Sequence, residues 1–171
     1  MIYYTSDLHL GHENIIRLCS RPYKNVDEMN KDIVYKWNRK VKPTDTVYIL
    51  GDMFFKFDDI QYVKDTLKQL NGTKILVKGN HDKFLKSIRW QDYFEKVVLY
   101  DEIADNGRMV CLFHYPVEEW NGYYRNSYML YGHVHENMKE IKKHERKFNV
   151  GVDVNNFEPK TLDELIATNN V

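Results

Sequence analysis

The sequence predicts an α/β domain whose first half contains a parallel sheet. In that half, short apolar runs typical of buried strands alternate with amphipathic helical patterns, which is the order of elements in parallel βαβ units. In the second half, apolar runs flank Asn106-Gly107, a dipeptide that favours a tight hairpin turn. At 171 residues, without a linker or an internal repeat, the chain is expected to form one domain over residues 1–171.

The first half is expected to contain three strands and three helices. In chain order these are a strand at 2–6, a helix at 13–19, a helix from Asn25 to Pro43, a strand at 46–50, a helix from 58 to Gly72 and a strand at 74–78. The second helix is the best marked, because Asn25 and Glu28 form a capping-box-like pair. Its apolar residues recur every fourth position, at Met29, Ile33, Trp37 and Val41.

The second half is expected to contain four strands and a closing helix. In chain order these are strands at 97–100, 108–113, 128–131 and 148–154, and a helix at 162–167. Thr161 and Glu164 form a capping-box pair at the start of that helix. Residues 136–147 are densely charged without an apolar face, so we expect a solvated loop or a hairpin tip there.

Composition and charge exclude several classes of protein. Lys and Arg together number 25, as do Asp and Glu, so neither general nucleic-acid binding nor attraction to a membrane surface is expected. Two cysteines, Cys19 and Cys111, are too few for a disulfide framework and lack the spacing of a zinc finger. No apolar run approaches the ~18 residues of a membrane span, and the start of the chain does not resemble a secretory signal. We therefore expect a cytoplasmic protein.

Five of the predicted strands end in histidine, aspartate or asparagine. Because sites in parallel sheets form beyond the carboxyl ends of the strands, such side chains are expected to lie together. They are Asp7, His9, Asp52, Asn80, His81, His114, His133 and His135. Imidazole with carboxylate and amide oxygen suits manganese, iron, zinc, cobalt or nickel. These groups exceed the needs of one tetrahedral site and suit two ions, about 3.5–4 Å apart, that promote in-line displacement at phosphorus.

The ordered motifs resemble those of the calcineurin-like metallophosphoesterases, in particular the small, single-domain bacterial and phage members. The motifs are Asp7-Leu8-His9, Gly51-Asp52, Gly79-Asn80-His81-Asp82, His114 and Gly132-His133-Val134-His135. Any one of them is a weak signal, but all five in family order, each after an apolar strand, are specific. The resemblance implies a four-layer α/β/β/α sandwich with two mixed β-sheets.

The resemblance also implies a role for each residue of the set. The implied ligands are Asp7, His9 and His135 for the first metal ion, Asn80, His114 and His133 for the second, and Asp52 as a bridge together with a hydroxide. His81 would stabilise the transition state and protonate the leaving oxygen. The implied cofactors are two divalent metal ions, with manganese favoured and iron, zinc, nickel or cobalt as alternatives.

Residues next to the motifs argue against one subfamily, and two of them, His12 and Asp82, each have two possible roles. Protein serine/threonine phosphatases have an Asp and then an Arg after the bridging Asp, whereas Met53-Phe54-Phe55 follows Asp52 here, so that activity is not expected. His12 either contacts the substrate phosphate or lies in solvent at the start of a helix. Asp82 either caps the helix that follows it or supports the ligands from behind.

The loop from Tyr115 to Asn126 lies between two strands that carry expected ligands. Its aromatic residues would stack on a nucleobase or pack as a structural lid, and its arginine would contact phosphate; the candidates are Trp120, Tyr123, Tyr124 and Arg125. The expected function is a metal-dependent phosphodiesterase that acts on a small phosphorylated substrate of the nucleotide type. A small-molecule phosphomonoesterase is the alternative. A non-catalytic scaffold is disfavoured, because every expected ligand position holds a competent residue.

Overall fold

Two four-stranded β-sheets form the framework of the protein in the computed structural model, which describes residues 1–55, 58–136 and 144–169. The first sheet consists of parallel strands in the order β1 (Ile2–Thr5), β2 (Thr46–Ile49), β3 (Thr73–Val77) and β4 (Lys96–Val98). The second has the order β5 (Tyr100–Asp105), β6 (Arg108–Phe113), β7 (Tyr128–Tyr131) and β8 (Lys147–Asn149). In it, β5 is antiparallel to β6, and the other neighbours are parallel. The predicted α/β class with two β-sheets is confirmed, although only the second sheet is mixed, because β1 to β4 all run parallel.

Three helices cover the outer face of the first sheet. They are α1 (Glu13–Leu18), α2 (Val26–Lys40) and α3 (Ile60–Gln69). The apolar stripe predicted for α2 is buried, with Met29, Ile33 and Trp37 packed against Val47 and Leu76 of the sheet. The helices therefore bury one face of the first sheet.

The opposite face of the first sheet packs on the second sheet. This inner layer is a separate apolar cluster, to which the strands contribute Tyr4, Tyr48, Ile75, Val77, Val110, Leu112, Leu130 and Phe148, and to which Leu50, directly after β2, also belongs. The last helix, α4 (Leu162–Asn169), inserts Leu162 and Leu165 into the same cluster. An antiparallel bridge between Tyr4 and Lys160 joins the segment before α4 to β1. The two sheets and α4 thus share one core.

The outer face of the second sheet is covered by the loop between β6 and β7. Cys111, Met129 and Tyr131 of the strands pack against Trp120 of that loop. Residues 123–125 of the loop form a short 3₁₀ turn. This loop therefore packs on the outer face of the second sheet.

The predicted strand at 97–100 is divided between the two sheets. β4 ends at Val98 in the first sheet, and β5 begins at Tyr100 in the second. The hairpin partner of β6 is therefore the whole of Tyr100–Asp105, of which the sequence interpretation had assigned only Tyr100 to a strand. Apolar alternation identifies an extended segment but not its neighbours, which explains the error.

The last predicted strand is shorter than expected. β8 ends at Asn149, and residues 152–154 form a 3₁₀ turn. Most of the charged stretch at 136–147 that was expected to be a solvated loop or a hairpin tip lies outside the described residues, at positions 137–143. None of the helices in the described ranges combines the length and the apolar composition that a membrane span requires.

The Asn25→Ala variant is expected to lower the free energy of unfolding by about 1 kcal/mol. The side-chain oxygen of Asn25 accepts the backbone N–H of Glu28 at 2.9 Å and caps α2. Urea denaturation followed by circular dichroism measures the change. Asn14→Ala, an exposed position within α1, is the control and should cost nothing, so equal losses in the two variants would contradict the capping role.

Candidate metal centre

The strands of both sheets deliver the predicted site residues to one edge of the sandwich. The parallel register of the first sheet aligns Thr5 with Ile49 and Ile49 with Leu76, so the loops after β1, β2 and β3 emerge side by side. These loops carry Asp7, His9, Asp52, Asn80 and His81. In the second sheet, β6 and β7 are also parallel, and His114, His133 and His135 follow them. Parallel pairing is the reason that residues far apart in the chain meet here.

The backbone is strained at most of the expected metal ligands. Five of them have positive φ angles, a region that residues other than glycine seldom adopt: Asp7 (57°), His9 (51°), Asp52 (55°), His133 (72°) and His135 (49°). Hydrogen bonds between neighbouring loops hold two of these residues, since Asp7 donates to the Gly51 carbonyl at 3.0 Å and His9 to the Asp52 carbonyl at 3.0 Å. Strain of this kind concentrates at functional sites, where the surrounding structure holds it in place.

The first group of candidate ligands is Asp7, His9 and His135, whose donor atoms lie within 4.8 Å of one another. Oδ2 of Asp7 accepts hydrogen bonds from the Ser6 hydroxyl at 2.6 Å and the His133 amide at 2.9 Å. Oδ1 of Asp7 and both ring nitrogens of His9 are buried and have no hydrogen-bond partner. Buried polar atoms without partners are rare and costly. The residues therefore fit a metal ion, which would satisfy these atoms.

The second group contains Asp52, His114 and His133, whose donor atoms also lie within 4.8 Å of one another. Oδ1 of Asn80 lies 2.9 Å from Nε2 of His114 and 3.2 Å from Nδ1 of His133, so Asn80 belongs to this group. Nδ1 of His114 lies 2.7 Å from the Leu50 carbonyl oxygen and donates its proton there. That hydrogen bond leaves Nε2 of His114 as the nitrogen that faces the site.

Asp52 lies between the two groups. Its Oδ2 is 3.8 Å from Nε2 of His9 in the first group and 3.6 Å from Nε2 of His114 in the second. Its Oδ1 accepts the backbone N–H of His81 at 2.8 Å. The Asp52 carboxylate thus faces both candidate metal positions and also holds the backbone of His81 in place.

Asp82 supports this arrangement from behind, which decides between its two predicted roles. Its carboxylate accepts the backbone N–H groups of Asp52 at 3.0 Å, Met53 at 2.9 Å and Gly79 at 2.8 Å. It makes no side-chain hydrogen bond to the start of the 3₁₀ turn at Lys83–Lys86. Burial raises the pKa of Asp82 to about 6 in spite of these hydrogen bonds. Asp82 therefore ties together the loops after β2 and β3.

The Gly79→Ala variant is expected to lower kcat/KM about 10²-fold, because displacements below about 1 Å at a reactive centre have effects of this size. A Cβ atom at Gly79 would collide with Oδ1 of Asp52 and lie 2.8 Å from the Asp52 amide nitrogen and 2.9 Å from Cε1 of His114. Gly107→Ala is the control for activity, because a Cβ atom in that hairpin turn meets no atom within 4 Å; the φ of 78° strains an alanine there, so its cost should fall on stability and not on activity. Steady-state kinetics that show equal activity in the two variants would contradict the steric argument.

Burial keeps several histidines of the site in the neutral form that binds metals. Burial, together with the neighbouring His135 ring, lowers the pKa of His9 to about 2. Burial also lowers the pKa of His133. At His135, burial acts in the same direction, but the hydrogen bonds to Asp153 and Cys19 and the negative charges of Asp7 and Asp153 together outweigh it and raise the pKa to about 10. A metal ion at the first group therefore competes with a proton on His135.

His81 and His12 border the first group together with Phe55. The His81 ring centroid lies 5.6 Å from that of His9 and 5.2 Å from that of Phe55. His12 stacks on Phe55 at 3.6 Å between centroids and lies 5.5 Å from His9. Nδ1 of His12 is buried and has no hydrogen-bond partner, which is inconsistent with a ring held in solvent. The structure thus places His12 beside the candidate metal centre.

The aromatic loop after His114 is mainly a packing element. Trp120 is only 8% exposed, and its indole N–H donates to the Ser127 hydroxyl at 2.9 Å. Of the two roles left open for Trp120, the structure favours packing as a lid, because both its ring and its donor are used inside the protein. Tyr123 packs on Trp120 at 4.7 Å and on His144 at 4.8 Å between ring centroids.

The two other candidates of the loop are exposed, and a third aromatic residue lies nearer to the ligands. Tyr124 is 82% exposed and donates its hydroxyl to Glu119 at 3.1 Å, while Arg125 bonds Asn121 at 3.4 Å. Tyr115 is 37% exposed, and its ring centroid lies 4.7 Å from that of His133. Sequence interpretation missed Tyr115, although its position directly after His114 was a usable signal.

The chain belongs to the calcineurin-like phosphoesterase family, whose model matches residues 1–168. A relative, an uncharacterized protein of Methanocaldococcus jannaschii, is 34% identical over 169 residues, which span 96% of this chain and 89% of that protein. A protein of unknown function from Aquifex aeolicus has a solved structure with a TM-score of 0.80, 30% identity and 98% coverage of both chains. The structure of Pseudomonas putida nuclease MPE matches with a TM-score of 0.50 and 20% identity, over 78% of this chain and 61% of that one.

Membership of this family implies that the protein is a phosphohydrolase. The family is metal-dependent, and the two ligand groups offer the nitrogen and oxygen donors that borderline divalent metals prefer. The family assignment and the α/β fold agree with the sequence interpretation. The buried ligand atoms without partners provide independent support from the structure itself.

Proposed function

We propose that the protein is a dinuclear metal-dependent phosphodiesterase that acts on a substrate of the nucleotide type. The observation that carries this proposal is the position of Asp52, whose Oδ2 lies within 3.8 Å of a histidine nitrogen in each of the two ligand groups. A carboxylate in this position suits two adjacent ions better than one. The proposed enzyme is one domain, and its free, buried Cys19 and Cys111 are compatible with the reducing cytoplasm.

Each of the two ligand groups would hold one metal ion. Asp7, His9 and His135 supply the first position, Asn80, His114 and His133 supply the second, and Asp52 contributes to both. Bound ions would lower the pKa of a coordinated water and neutralise the phosphoryl oxygens; manganese is the favoured metal. The protein fixes the donors in advance through strained backbone and hydrogen bonds, so little reorganisation is needed when substrate binds.

His81 is the proposed general acid. Its backbone N–H is bound to Asp52 at 2.8 Å, and its side chain is half-buried next to the His9 ring. This attachment keeps the imidazole at the edge of the ligand groups, where it can donate a proton to the leaving oxygen. The imidazole N–H of His81 would also stabilise negative charge on the phosphoryl group.

The surroundings of the ligands favour a diester over a monoester. Phe55 and His12 border the first ligand group. Tyr115, which follows β6 of the second sheet, borders the second ligand group. A diester carries an organic group on each side of phosphorus, so both borders would contact substrate, whereas a monoester would use only one. Aromatic borders are suited to planar rings such as nucleobases, which supports the nucleotide class. Tyr124 and Arg125 are exposed and remain candidates for contacts with its outer part.

Hydrolysis by metal-stripped protein tests this proposal. We expect turnover of bis-p-nitrophenyl phosphate only after a divalent metal such as Mn(II) is added, with two ions bound per chain. The corresponding monoester, p-nitrophenyl phosphate, should react more slowly. Faster monoester turnover would favour the phosphomonoesterase alternative. Absence of turnover in protein that has bound two ions, after trials of Mn, Fe, Co, Ni and Zn and a screen of nucleotide diesters, would favour a binding scaffold.

A further inference from the structure

A buried ion pair that no predicted role uses lies behind the first ligand group. The Arg21 guanidinium binds the Asp153 carboxylate in a bidentate manner, with Nε to Oδ1 at 2.7 Å and Nη2 to Oδ2 at 3.0 Å. The Arg21 side chain is fully buried, and that of Asp153 is 3% exposed. Arg21 precedes α2, and Asp153 lies in the 3₁₀ turn after β8, 132 residues further along the chain.

This ion pair contacts the ligand group from two directions. Arg21 donates from Nη2 to the Asp7 carbonyl at 2.7 Å and from Nη1 to the Leu8 carbonyl at 2.9 Å. Oδ2 of Asp153 lies 2.7 Å from Nδ1 of His135. The guanidinium therefore holds the backbone of one candidate ligand, and the carboxylate holds the side chain of another. Burying two charges is costly unless all their hydrogen bonds are made, which is the case here.

The two ligand groups differ in what supports their histidines. In the first group, Nδ1 of His135 is bound to a carboxylate, whereas in the second, Nδ1 of His114 is bound to the neutral Leu50 carbonyl. A carboxylate partner fixes the ring tautomer and makes the metal-binding nitrogen more basic than a carbonyl partner does. Of these two histidines, His135 in the first group therefore has the stronger support.

We propose that Arg21 and Asp153 are positioning residues that hold His135 with Nε2 toward the first metal position, and that they make this position the tighter of the two. The proposal rests on the proposed dinuclear function for the existence of a second position. Asp153 itself is not proposed as a ligand, although Cys19, His135 and Asp153 also offer donor atoms within 4.8 Å of one another. The Arg21 guanidinium already neutralises this carboxylate, so it has little attraction left for a cation.

Three variants test the proposal. Asp153→Asn removes the carboxylate but leaves the buried charge of Arg21 unpaired. The double variant Arg21→Gln with Asp153→Asn removes both charges and is the variant to use if the single one does not fold. Asp105→Asn is the matched control, because Asp105 is also buried and accepts one side-chain hydrogen bond, from the Tyr4 hydroxyl at 3.0 Å.

The first readout is titration of metal-free protein with Mn(II), measured by calorimetry and by metal content after dialysis. We expect wild type and Asp105→Asn to bind two ions with different affinities. In the other two variants, the tighter ion should be bound about 10–100-fold more weakly, the usual effect of losing such a partner, and the weaker ion should change little. Unchanged affinity for both ions, or equal weakening of both, in folded variants would overturn the proposal.

The second readout is independent of metal and activity. In metal-free wild type, proton NMR with nitrogen-15 labelled histidine should show a slowly exchanging Nδ1 proton on His135, bound to Asp153. The proton should remain in Asp105→Asn and should exchange rapidly in variants that lack Asp153. Absence of this proton in wild type would overturn the proposal even if none of the variants folds.

These readouts separate the proposal from the proposed function. If wild type binds two ions and hydrolyses no ester, the phosphodiesterase function fails while a selective loss of one ion still supports the positioning role. If wild type binds a single ion, the dinuclear centre and the ranking of the two positions are both refuted.

Discussion

Replacing Asp52 with asparagine is expected to lower kcat/KM at least about 10³-fold. The carboxylate lies within 3.8 Å of a histidine nitrogen in both ligand groups. Its charge is needed to hold two cations close together, and metal stabilisation of the transition state amounts to several kcal/mol, at about 1.4 kcal/mol per factor of ten. Steady-state hydrolysis of bis-p-nitrophenyl phosphate at saturating Mn(II) measures the loss, and metal analysis should show fewer than two ions per chain.

The Asp52→Asn variant should nonetheless fold, which separates its effect from simple misfolding. Burial is the main cause of the raised pKa values of Asp7 and Asp82, and the Asp52 carboxylate raises both further, so the three charges repel one another. Without metal, the melting temperature of the variant should equal or exceed that of wild type. Asp105→Asn, which also removes a buried carboxylate, should retain wild-type activity. Full metal content and activity in Asp52→Asn would refute the bridging role.

Replacing His81 with alanine is expected to lower kcat about 10²–10⁴-fold, the usual contribution of a general acid. The metal content should remain that of wild type, because the imidazole is proposed as a proton donor and not as a ligand. The backbone N–H that binds Asp52 is retained in the variant, so the ligand groups should keep their geometry. Kinetics together with metal analysis therefore distinguish this variant from Asp52→Asn.

The leaving group provides a sharper test of the same role. An alkoxide leaving group needs a proton more than p-nitrophenolate does, so the loss should be larger for a nucleoside or alkyl ester than for a p-nitrophenyl ester. Equal losses for both would indicate that His81 stabilises the phosphoryl group and does not protonate the leaving oxygen. His144→Ala is the control, because that ring packs on Trp120 and Tyr123 of the outer loop. It should leave kcat unchanged.

The candidate ligands were predictable from sequence because each follows directly on a strand. Asp7 and His9 after β1, Asp52 after β2 and Asn80 after β3 need only the rule that parallel strands present their carboxyl ends at one edge. The apolar stripe of α2 and its Asn25 cap were also predictable from local sequence, because both depend on residues three or four positions apart.

Residues that act across the fold were not predictable in this way. Arg21 and Asp153 are 132 residues apart, and nothing in their local sequence indicates that they meet behind His135. The two possible roles of Asp82 differ only in which backbone amides its carboxylate contacts, and those of Met53 and Asp52 lie about thirty residues away. Trp120 looked like a stacking residue because its loop adjoins a ligand, but its ring is buried against the second sheet.

The sequence by itself determined the α/β class, the family and the set of candidate ligands, because strand patterns and the residues that end them are local properties of the chain. Tertiary structure decided which ligands form each group, where the strand at 97–100 divides between the sheets and which charged side chains stand behind the ligands. These depend on distances between segments far apart in the chain. Such distances follow from the packing of the two sheets and not from any local pattern of residues.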